Sequence, residues 1–114
     1  MNVMTKTIEL DKYSGGVGVL AGRERGEYVR QQEKLDEADE RGTKVCIVIP
    51  DYVFSVNSSF FLGMLEKSVK NLGELRFRER YSFVGPNAER TLEEGIRKAQ
   101  LMGTRLRPLR RATA

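Results

Sequence analysis

The stretch that decides the fold is residues 43–73, TKVCIVIPDYVFSVNSSFFLGMLEKSVKNLG. Its first part is a near-continuous apolar run rich in β-branched residues, which is typical of a central strand buried on both faces of a sheet. Pro50 is expected to end the ladder of that strand, because it has no N–H to donate. The second part repeats apolar residues at helical spacing, among them Phe61 and Leu65, and stops at Gly73. The stretch therefore predicts a buried strand, a loop and a helix.

Three small polar residues, Asn57, Ser58 and Ser59, directly precede the apolar part of this helix. The first amides of a helix lack partners within it, and Asn and Ser oxygens satisfy them, so Asn57 or Ser58 is expected to be the N-cap. Ser59 would then lie in the first turn, near the positive end of the helix dipole, where an added phosphate is tolerated. Asp51 follows the strand, at the end where α/β proteins collect functional groups. These four residues are the candidate site.

Two further elements are predicted before this stretch. TKTIELDKY alternates Ile8 and Leu10 with polar residues, the period of a strand with one solvated face. The glycine-rich SGGVGVLAG that follows interrupts regular structure. Residues 22–42, GRERGEYVRQQEKLDEADERG, then predict one amphipathic helix that ends at Gly42. Its apolar face is expected to carry Tyr28, Gln31 or Gln32, Leu35 and Ala38.

Three segments follow Gly73. ELRFRERYSFVG alternates apolar and basic residues and predicts a strand. AERTLEEGIRKAQLMG predicts a third helix that ends near Gly103. The remaining RLRPLRRATA has no apolar period and contains Pro108, so we expect residues 105–114 to form a basic, flexible tail behind a domain of residues 1–104.

The order strand, helix, strand, helix, strand, helix favours an α/β layer in which successive strands run parallel. A chain of 114 residues fits one hydrophobic core. We therefore expect a single sheet of about four strands, with three helices packed mainly on one face. Val45, Ile47 and Ile49 should lie buried in its central strand, and Phe61 and Leu65 should pack a helix onto the sheet.

The composition excludes several classes of function. Histidine is absent, which removes catalytic triads and zinc sites built on imidazole. The single cysteine, Cys46, lies in the apolar run VCIVI and is expected to be a buried small hydrophobe. We therefore expect no catalytic residue, no metal and no cofactor, and a protein that is not an enzyme.

The sequence also bears on location. No window reaches the ~20 uncharged apolar residues that a membrane span needs. The N-terminal MNVMTKTIELDK lacks the basic-then-apolar order of a secretory signal. We therefore expect a cytoplasmic protein that does not act in a membrane.

Positive charge is concentrated towards the C-terminal end. The chain has 20 Lys and Arg against 16 Asp and Glu, for a formal net charge of +4, and no acidic residue follows Glu94. Such basic segments bind nucleic acid through phosphate contacts. One alternative interpretation is therefore a nucleic-acid-associated protein that uses the basic side of the predicted strand and the tail: Arg76, Arg78, Arg80, Arg105, Arg107, Arg110 and Arg111.

A second alternative interpretation concerns residues 16–21, GVGVLA, which fit the G-x-G-x-x-G/A form of a dinucleotide loop. That form should follow a buried apolar strand, whereas the strand predicted here is half charged, so a hairpin or loop is favoured. Arg23 and Arg25 nevertheless lie near a predicted helix start, where the phosphate of a nucleotide or another small anion is stabilised.

The order IVIPDYVFSVNSSFFLGMLEKSVKNLG resembles the central strand, loop and helix of the STAS domain, found in bacterial anti-sigma-factor antagonists and in cytoplasmic domains of sulfate transporters. It is similar to a STAS-like family of small bacterial proteins, in which SSF and its helix are followed by LG, a strand and a last helix. The resemblance covers residues 43–103. The antagonist loop reads Asp-Ser-Ser-Gly, so that Asn57, Ser58 and Ser59 stand in place of the acid and the two serines, and Phe60 in place of the glycine.

The resemblance implies a STAS-like α/β fold and a regulatory, non-enzymatic role. In the antagonists the second serine, which Ser59 matches, is phosphorylated by a partner kinase. The implied partner is an ATP-binding switch kinase or a similar regulator, which would contact Asp51, Asn57, Ser58 and Ser59. The resemblance implies no cofactor.

Overall fold

Helices and strands alternate along the chain. The computed structural model describes the backbone of residues 4–113 and the side chains of residues 4–101. Its elements are β1 (Thr5–Glu9), α1 (Asp11–Ser14), β2 (Val19–Leu20), α2 (Arg23–Gln32), α3 (Leu35–Arg41), β3 (Lys44–Val48), β4 (Ser55–Val56), α4 (Ser58–Arg80), β5 (Tyr81–Val84) and α5 (Ala88–Thr113). The fold is α/β, as predicted.

Three strands form a parallel sheet in the order β1-β3-β5. Ile47 of the central strand β3 aligns with Ile8 of β1 and Phe83 of β5, and all three are buried. The ring of Phe61, from α4, stacks on Phe83 with centroids 5.8 Å apart. The expected central strand, and the packing of Phe61 onto the sheet, are thus confirmed.

The remaining two strands, β2 and β4, form a separate parallel pair. The chain leaves the main sheet after β3 because Pro50 ends the ladder. It then turns through a hydrogen bond from the Val53 N–H to the Pro50 carbonyl (3.0 Å). The predicted single sheet of about four strands is therefore replaced by a three-stranded and a two-stranded sheet.

The two faces of the three-stranded sheet differ. Val45 and Ile47 are buried under the helices, whereas Cys46 and Val48, which alternate with them, are only half-buried. The burial of β3 on both faces, and with it the full burial of Cys46, was predicted wrongly. The reason is that the second face has no described helix packed closely against it, so that Thr7 also remains exposed.

The helix predicted over residues 22–42 is divided into α2 and α3. Between them Lys34 adopts a left-handed backbone with a φ of 55°, which a continuous right-handed helix cannot contain. The break turns α3 so that its Asp36 accepts a hydrogen bond from the Arg30 guanidinium of α2 (2.7 Å). Gly42 ends α3 in the left-handed conformation, as predicted.

The break also changes which side chains face the core. Leu35 and Ala38 are buried as predicted, but Tyr28 is 53% exposed, and Val29 takes its place inside. The predicted face assumed an uninterrupted helical period across Lys34. The side chains on the two sides of the break therefore follow different registers.

The segment ELRFRERYSFVG was predicted as a strand, but residues 74–80 are helical. The chain passes through Gly73 with non-helical angles (φ 81°, ψ 161°), resumes as a helix within α4 and becomes extended only at Tyr81. In a strand Leu75 and Phe77 would share a face. In the helix Leu75 is 81% exposed, while Phe77 is buried and stacks on Tyr81.

The last helix, α5, continues past the predicted end near Gly103 to Thr113. Its Ile96 and Ala99 are buried. Close packing of α5 on α4 depends on Gly95, because a Cβ at this position would collide with the Phe61 ring. The expected basic, flexible tail of residues 105–114 stays a prediction, because the side chains of these residues lie outside the described part of the chain.

Helices α2 and α4 cross through two glycines. A Cβ on Gly26 would collide with the carbonyl oxygen of Phe60 and would lie 2.8 Å from the Met64 nitrogen. A Cβ on Gly63 would collide with the carbonyl oxygen of Arg23. The two backbones therefore touch directly, and no side chain larger than hydrogen fits at either position.

A buried polar network joins the helices to the sheet around Asp39 of α3. Its carboxylate accepts hydrogen bonds from the Ser68 hydroxyl (2.5 Å), the Tyr81 hydroxyl (2.6 Å) and the Arg30 guanidinium (3.3 Å). Arg30 is 7% exposed and also donates to the Met64 carbonyl (2.8 Å). Burial, and then the bond to the carboxylate, raise the pKa of Tyr81 far above its ordinary value of 10.0.

Gly26→Ala is expected to lower the free energy of unfolding by about 3 kcal/mol or more, because the methyl group meets backbone atoms that cannot move aside without separating α2 from α4. Glu27→Ala, at the exposed neighbouring position, should change it by less than about 0.5 kcal/mol. Urea denaturation followed by circular dichroism measures both. Equal stabilities of the two variants would mean that the helices do not cross here.

The raised pKa of Tyr81 predicts a loss of stability in alkali. The protonated hydroxyl stabilises the folded state fully below the pKa of the unfolded chain, about 10, and this contribution is lost as the pH rises above it. Tyr81→Phe starts less stable because Asp39 loses a donor, but its unfolding free energy should fall less steeply with pH. Urea denaturation between about pH 8 and about pH 11 measures the slopes, and equal slopes would contradict the assignment.

Candidate functional site

The start of α4 is held in place by the side chain of Asn57 and by a hydrogen bond to β2. Asn57 has an extended backbone, and its Oδ1 accepts a hydrogen bond from the Ser59 N–H (2.7 Å). The Asn57 N–H in turn donates to the Leu20 carbonyl of β2 (2.8 Å). Of the two predicted N-cap residues, Asn57 takes this role, and Ser58 is the first helical residue.

The two serines differ in their surroundings. Ser58 is half-buried, whereas Ser59 is exposed. Among the described residues the Ser59 hydroxyl has no hydrogen-bond partner, and the first turn of α4 contains no acidic residue. The hydroxyl therefore lies at the positive end of a long helix, where an anionic group is favoured.

An exposed aromatic side chain, Phe54, lies in the segment that leads into this helix. It is 69% exposed, yet its backbone is fixed on both sides: its N–H donates to the Gly18 carbonyl (2.8 Å), and its carbonyl accepts from Asn87 Nδ2 (3.3 Å). The ring lies over Gly18, where a Cβ would be 2.5 Å from the ring carbon Cε2. The glycine thus makes room for a ring that faces solvent.

Phe54 belongs to an exposed apolar patch that the sequence interpretation missed. We use the name apolar patch for Val17, Val19, Tyr52 and Phe54, which are 52%, 38%, 42% and 69% exposed and lie on two segments joined at Gly18. Exposed apolar side chains that cluster in this way mark interaction sites. The predicted strand ended at Pro50, and Tyr52 and Phe54 were given no role. A ladder that ends at the proline leaves the aromatic residues after it free to be exposed, and this was the signal that could have found the patch.

The Tyr52 hydroxyl fixes the patch to α1. It donates to Asp11 Oδ1 (2.5 Å) and lies 2.5 Å from the hydroxyl of Ser14, which is buried. The bond to the Asp11 carboxylate raises the pKa of Tyr52. The polar end of the side chain is therefore anchored while part of its ring faces solvent.

The structure places the four predicted site residues in one continuous segment. Asp51 is exposed in the turn after β3, and Asn57, Ser58 and Ser59 form the cap and first turn of α4. The apolar patch contributes Tyr52 and Phe54 between them. The segment from residue 51 to residue 59 thus combines an acidic group, exposed aromatic rings and a helix start.

The predicted anion site is only partly assembled. Arg23 and Arg25 begin α2 as expected, but the Arg23 guanidinium forms an ion pair with Glu66 of α4 (3.0 Å), while Arg25 is exposed. Residues 16–21 precede and include β2, which is two residues long. They therefore do not form the connection from a buried strand to a helix that holds a pyrophosphate.

The basic surface predicted to bind nucleic acid depended on a strand at residues 74–80, and this segment is a helix. Residues two apart share a face in a strand but not in a helix. In the helical segment Arg76 and Arg80 share a face, but Arg78 does not lie on it, so the three arginines do not form one row. The tail positions proposed with them, Arg105, Arg107, Arg110 and Arg111, lie outside the described side chains.

Two of the three arginines in the helical segment are engaged within the chain. Arg78 donates to Glu93 of α5 through both terminal nitrogens (2.7 and 2.9 Å) and through Nε to Glu74 (2.9 Å). These bonds raise the pKa of Arg78 and lower that of Glu93. Arg80 donates to the Asp39 carbonyl (3.2 Å). These two side chains hold the end of α4 in place.

No family model matches the chain, and no curated protein or solved structure matches it either. In the part of the chain that the structure describes, every helix is too short or too polar to cross a bilayer.

Asn57→Ala is expected to lower the free energy of unfolding by ~1 kcal/mol, because the Ser59 N–H loses its acceptor. Asn57→Asp should keep the cap, and Ser59→Ala should be nearly neutral because the hydroxyl forms no hydrogen bond with the described residues. Urea denaturation of the three variants measures the differences. A loss caused by Ser59→Ala rather than by Asn57→Ala would show that the cap is assigned to the wrong residue.

Proposed function

We propose that the chain is a regulatory, non-enzymatic domain that binds a protein partner through the start of α4, as anti-sigma-factor antagonists do. The observation that carries the proposal is the division of roles in Asn57-Ser58-Ser59. Asn57 caps the helix, so that the Ser59 hydroxyl is exposed and unbonded within the described chain. A serine that the fold does not need in this place is available to a partner.

The neighbouring apolar patch would supply most of the binding free energy of such a contact. Aromatic anchors contribute most of the affinity in many interfaces, because they bury a large area at a small cost in side-chain entropy. Phe54 and Tyr52 have backbones or hydroxyl groups fixed by hydrogen bonds, so little freedom is lost on binding. The partner would offer an apolar pocket to Phe54 and polar groups to the helix start.

The same helix start offers a means of regulation. Phosphorylation of Ser59 would add a charge of about −2 at the positive end of the α4 dipole, which the folded domain tolerates. It would also place that charge beside the apolar patch, where a partner surface matched to a neutral hydroxyl would be repelled or desolvated. The resemblance of residues 43–103 to STAS domains supports an ATP-binding switch kinase, or a similar cytoplasmic regulator, as the partner.

The proposal is tested by capture of partners from the native cell with tagged full-length chain, quantified by mass spectrometry. We expect a partner that wild type and Ser59→Ala retain and that Ser59→Asp and Phe54→Ala lose. Leu75→Ala is the matched control, because Leu75 is also an exposed apolar residue of the same region of sequence but lies on the second part of α4. Circular dichroism establishes that each variant is folded.

Two outcomes would overturn the proposal. If Ser59→Asp and Phe54→Ala retain every protein that wild type captures, the start of α4 is not the contact surface. If Leu75→Ala loses the same partner, the contact does not depend on the apolar patch in particular.

A further inference from the structure

The face of the three-stranded sheet opposite the helices is open among the described residues. Its middle row consists of Thr7, Cys46 and Ser82, which the strand register aligns, and all three are exposed or half-buried. Sheets of parallel strands are normally covered on both faces. An open face of this kind is therefore a candidate for an intermolecular contact.

The charges at the two ends of this face indicate its occupant. Glu9 lies at the carboxyl end of β1 and Lys44 at the amino end of β3, and the register places both on the open face. Neither forms an ion pair among the described residues. They are separated along the strands by about 13 Å at about 3.3 Å per residue, so they cannot pair with each other within one chain.

We propose that the open face binds a second copy of this chain, sheet against sheet, with the strands of the two copies running in opposite directions. The two-fold axis lies between the two sheets, near Cys46, parallel to the sheet planes and perpendicular to the strands. It brings Glu9 of each copy to the end of the sheet where the partner's Lys44 lies, so that two ion pairs form. An axis parallel to the strands would instead bring the Glu9 end of one copy to the Glu9 end of the other, and the Lys44 end to the Lys44 end, so that neither charge would be paired. The charge pattern therefore selects the reversed arrangement.

The side chains between the charges fit such a contact. Thr7, Cys46 and Ser82 are small and allow close approach of the two sheets at the axis. Val48 and Val84 lie in the row of Glu9, where the aliphatic stem of the partner's Lys44 packs against them. Val84 is 46% exposed in the single chain.

The size of the face sets the strength of the contact. Three strands of four or five residues cover about 16 Å by about 14 Å, well below the ~800 Å² per partner of a stable interface. The dimer is therefore weak and concentration-dependent, and salt weakens its ion pairs further. It uses a different surface from the start of α4, so it does not rest on the proposed function.

Analytical ultracentrifugation of the full chain at low salt, from about 10 μM to about 1 mM, tests the proposal. The mean mass of wild type should rise towards that of a dimer. Lys44→Glu and Glu9→Lys should each remain monomeric, because each places like charges together, whereas the double variant Glu9→Lys/Lys44→Glu should associate again. Lys98→Glu makes the same charge change at an exposed position of α5 and should behave as wild type.

Cys46 provides a second measurement, because the sequence contains one cysteine and any cysteine-to-cysteine link must join two copies. A short bis-maleimide should cross-link wild type and the double charge-reversal variant but not Lys44→Glu. Ser59→Asp should cross-link as wild type does, which separates this result from the test of the proposed function. A wild type that stays monomeric throughout, or association that the charge reversals leave unchanged, overturns the proposal.

Discussion

The contact between the backbones of α2 and α4 is the constraint on which the rest of the structure depends. Gly26 and Gly63 let the two helices touch without side chains between them. At this distance the Arg30 guanidinium reaches the Met64 carbonyl and, beyond it, Asp39 of α3. A wider separation would take the buried guanidinium of Arg30 away from the Met64 carbonyl, and leaving a buried charge without its partners costs several kcal/mol. The close packing of α2 on α4 and the buried polar network therefore depend on each other.

The same contact determines where the candidate site lies. With α4 held against α2 and its Phe61 against the sheet, the start of α4 lies beside β2, where the Asn57 N–H donates to the Leu20 carbonyl. The exposed Ser59 and the ring of Phe54 are thereby presented from a rigid base. A partner that binds here meets a preformed surface, and little conformational freedom is lost on binding.

The one-sided packing of helices leaves two surfaces with different chemistry. The start of α4 offers aromatic rings and an uncharged hydroxyl, whereas the open sheet face offers small polar side chains between Glu9 and Lys44. The first is suited to an apolar anchor and to control by phosphorylation. The second is suited to a weak contact governed by charge. Each can be tested by substitutions that leave the other unchanged.

The sequence by itself determined those features that depend on neighbours along the chain. The apolar run of β3, the helical period through Phe61 and Leu65, and a polar residue at the N-cap are local signals, because each follows from the conformation of a few consecutive residues. They predicted the central strand and the helix that packs on it correctly, and they narrowed the N-cap to Asn57 or Ser58, of which the structure assigns the role to Asn57. The position of the helix start, and the polar residues that form it, could therefore be predicted from the sequence.

Only the tertiary structure decided the features that depend on residues far apart in the chain. The alternation in residues 74–80 fits a strand, but the burial of Phe77 against Phe61 and the bonds from Arg78 to Glu93 hold this segment as a helix. The exposed position of Phe54 likewise depends on a residue far away in the sequence, since Asn87 donates to its carbonyl. Local propensities differ by a few tenths of a kcal/mol per residue, so a buried contact formed across the fold outweighs them.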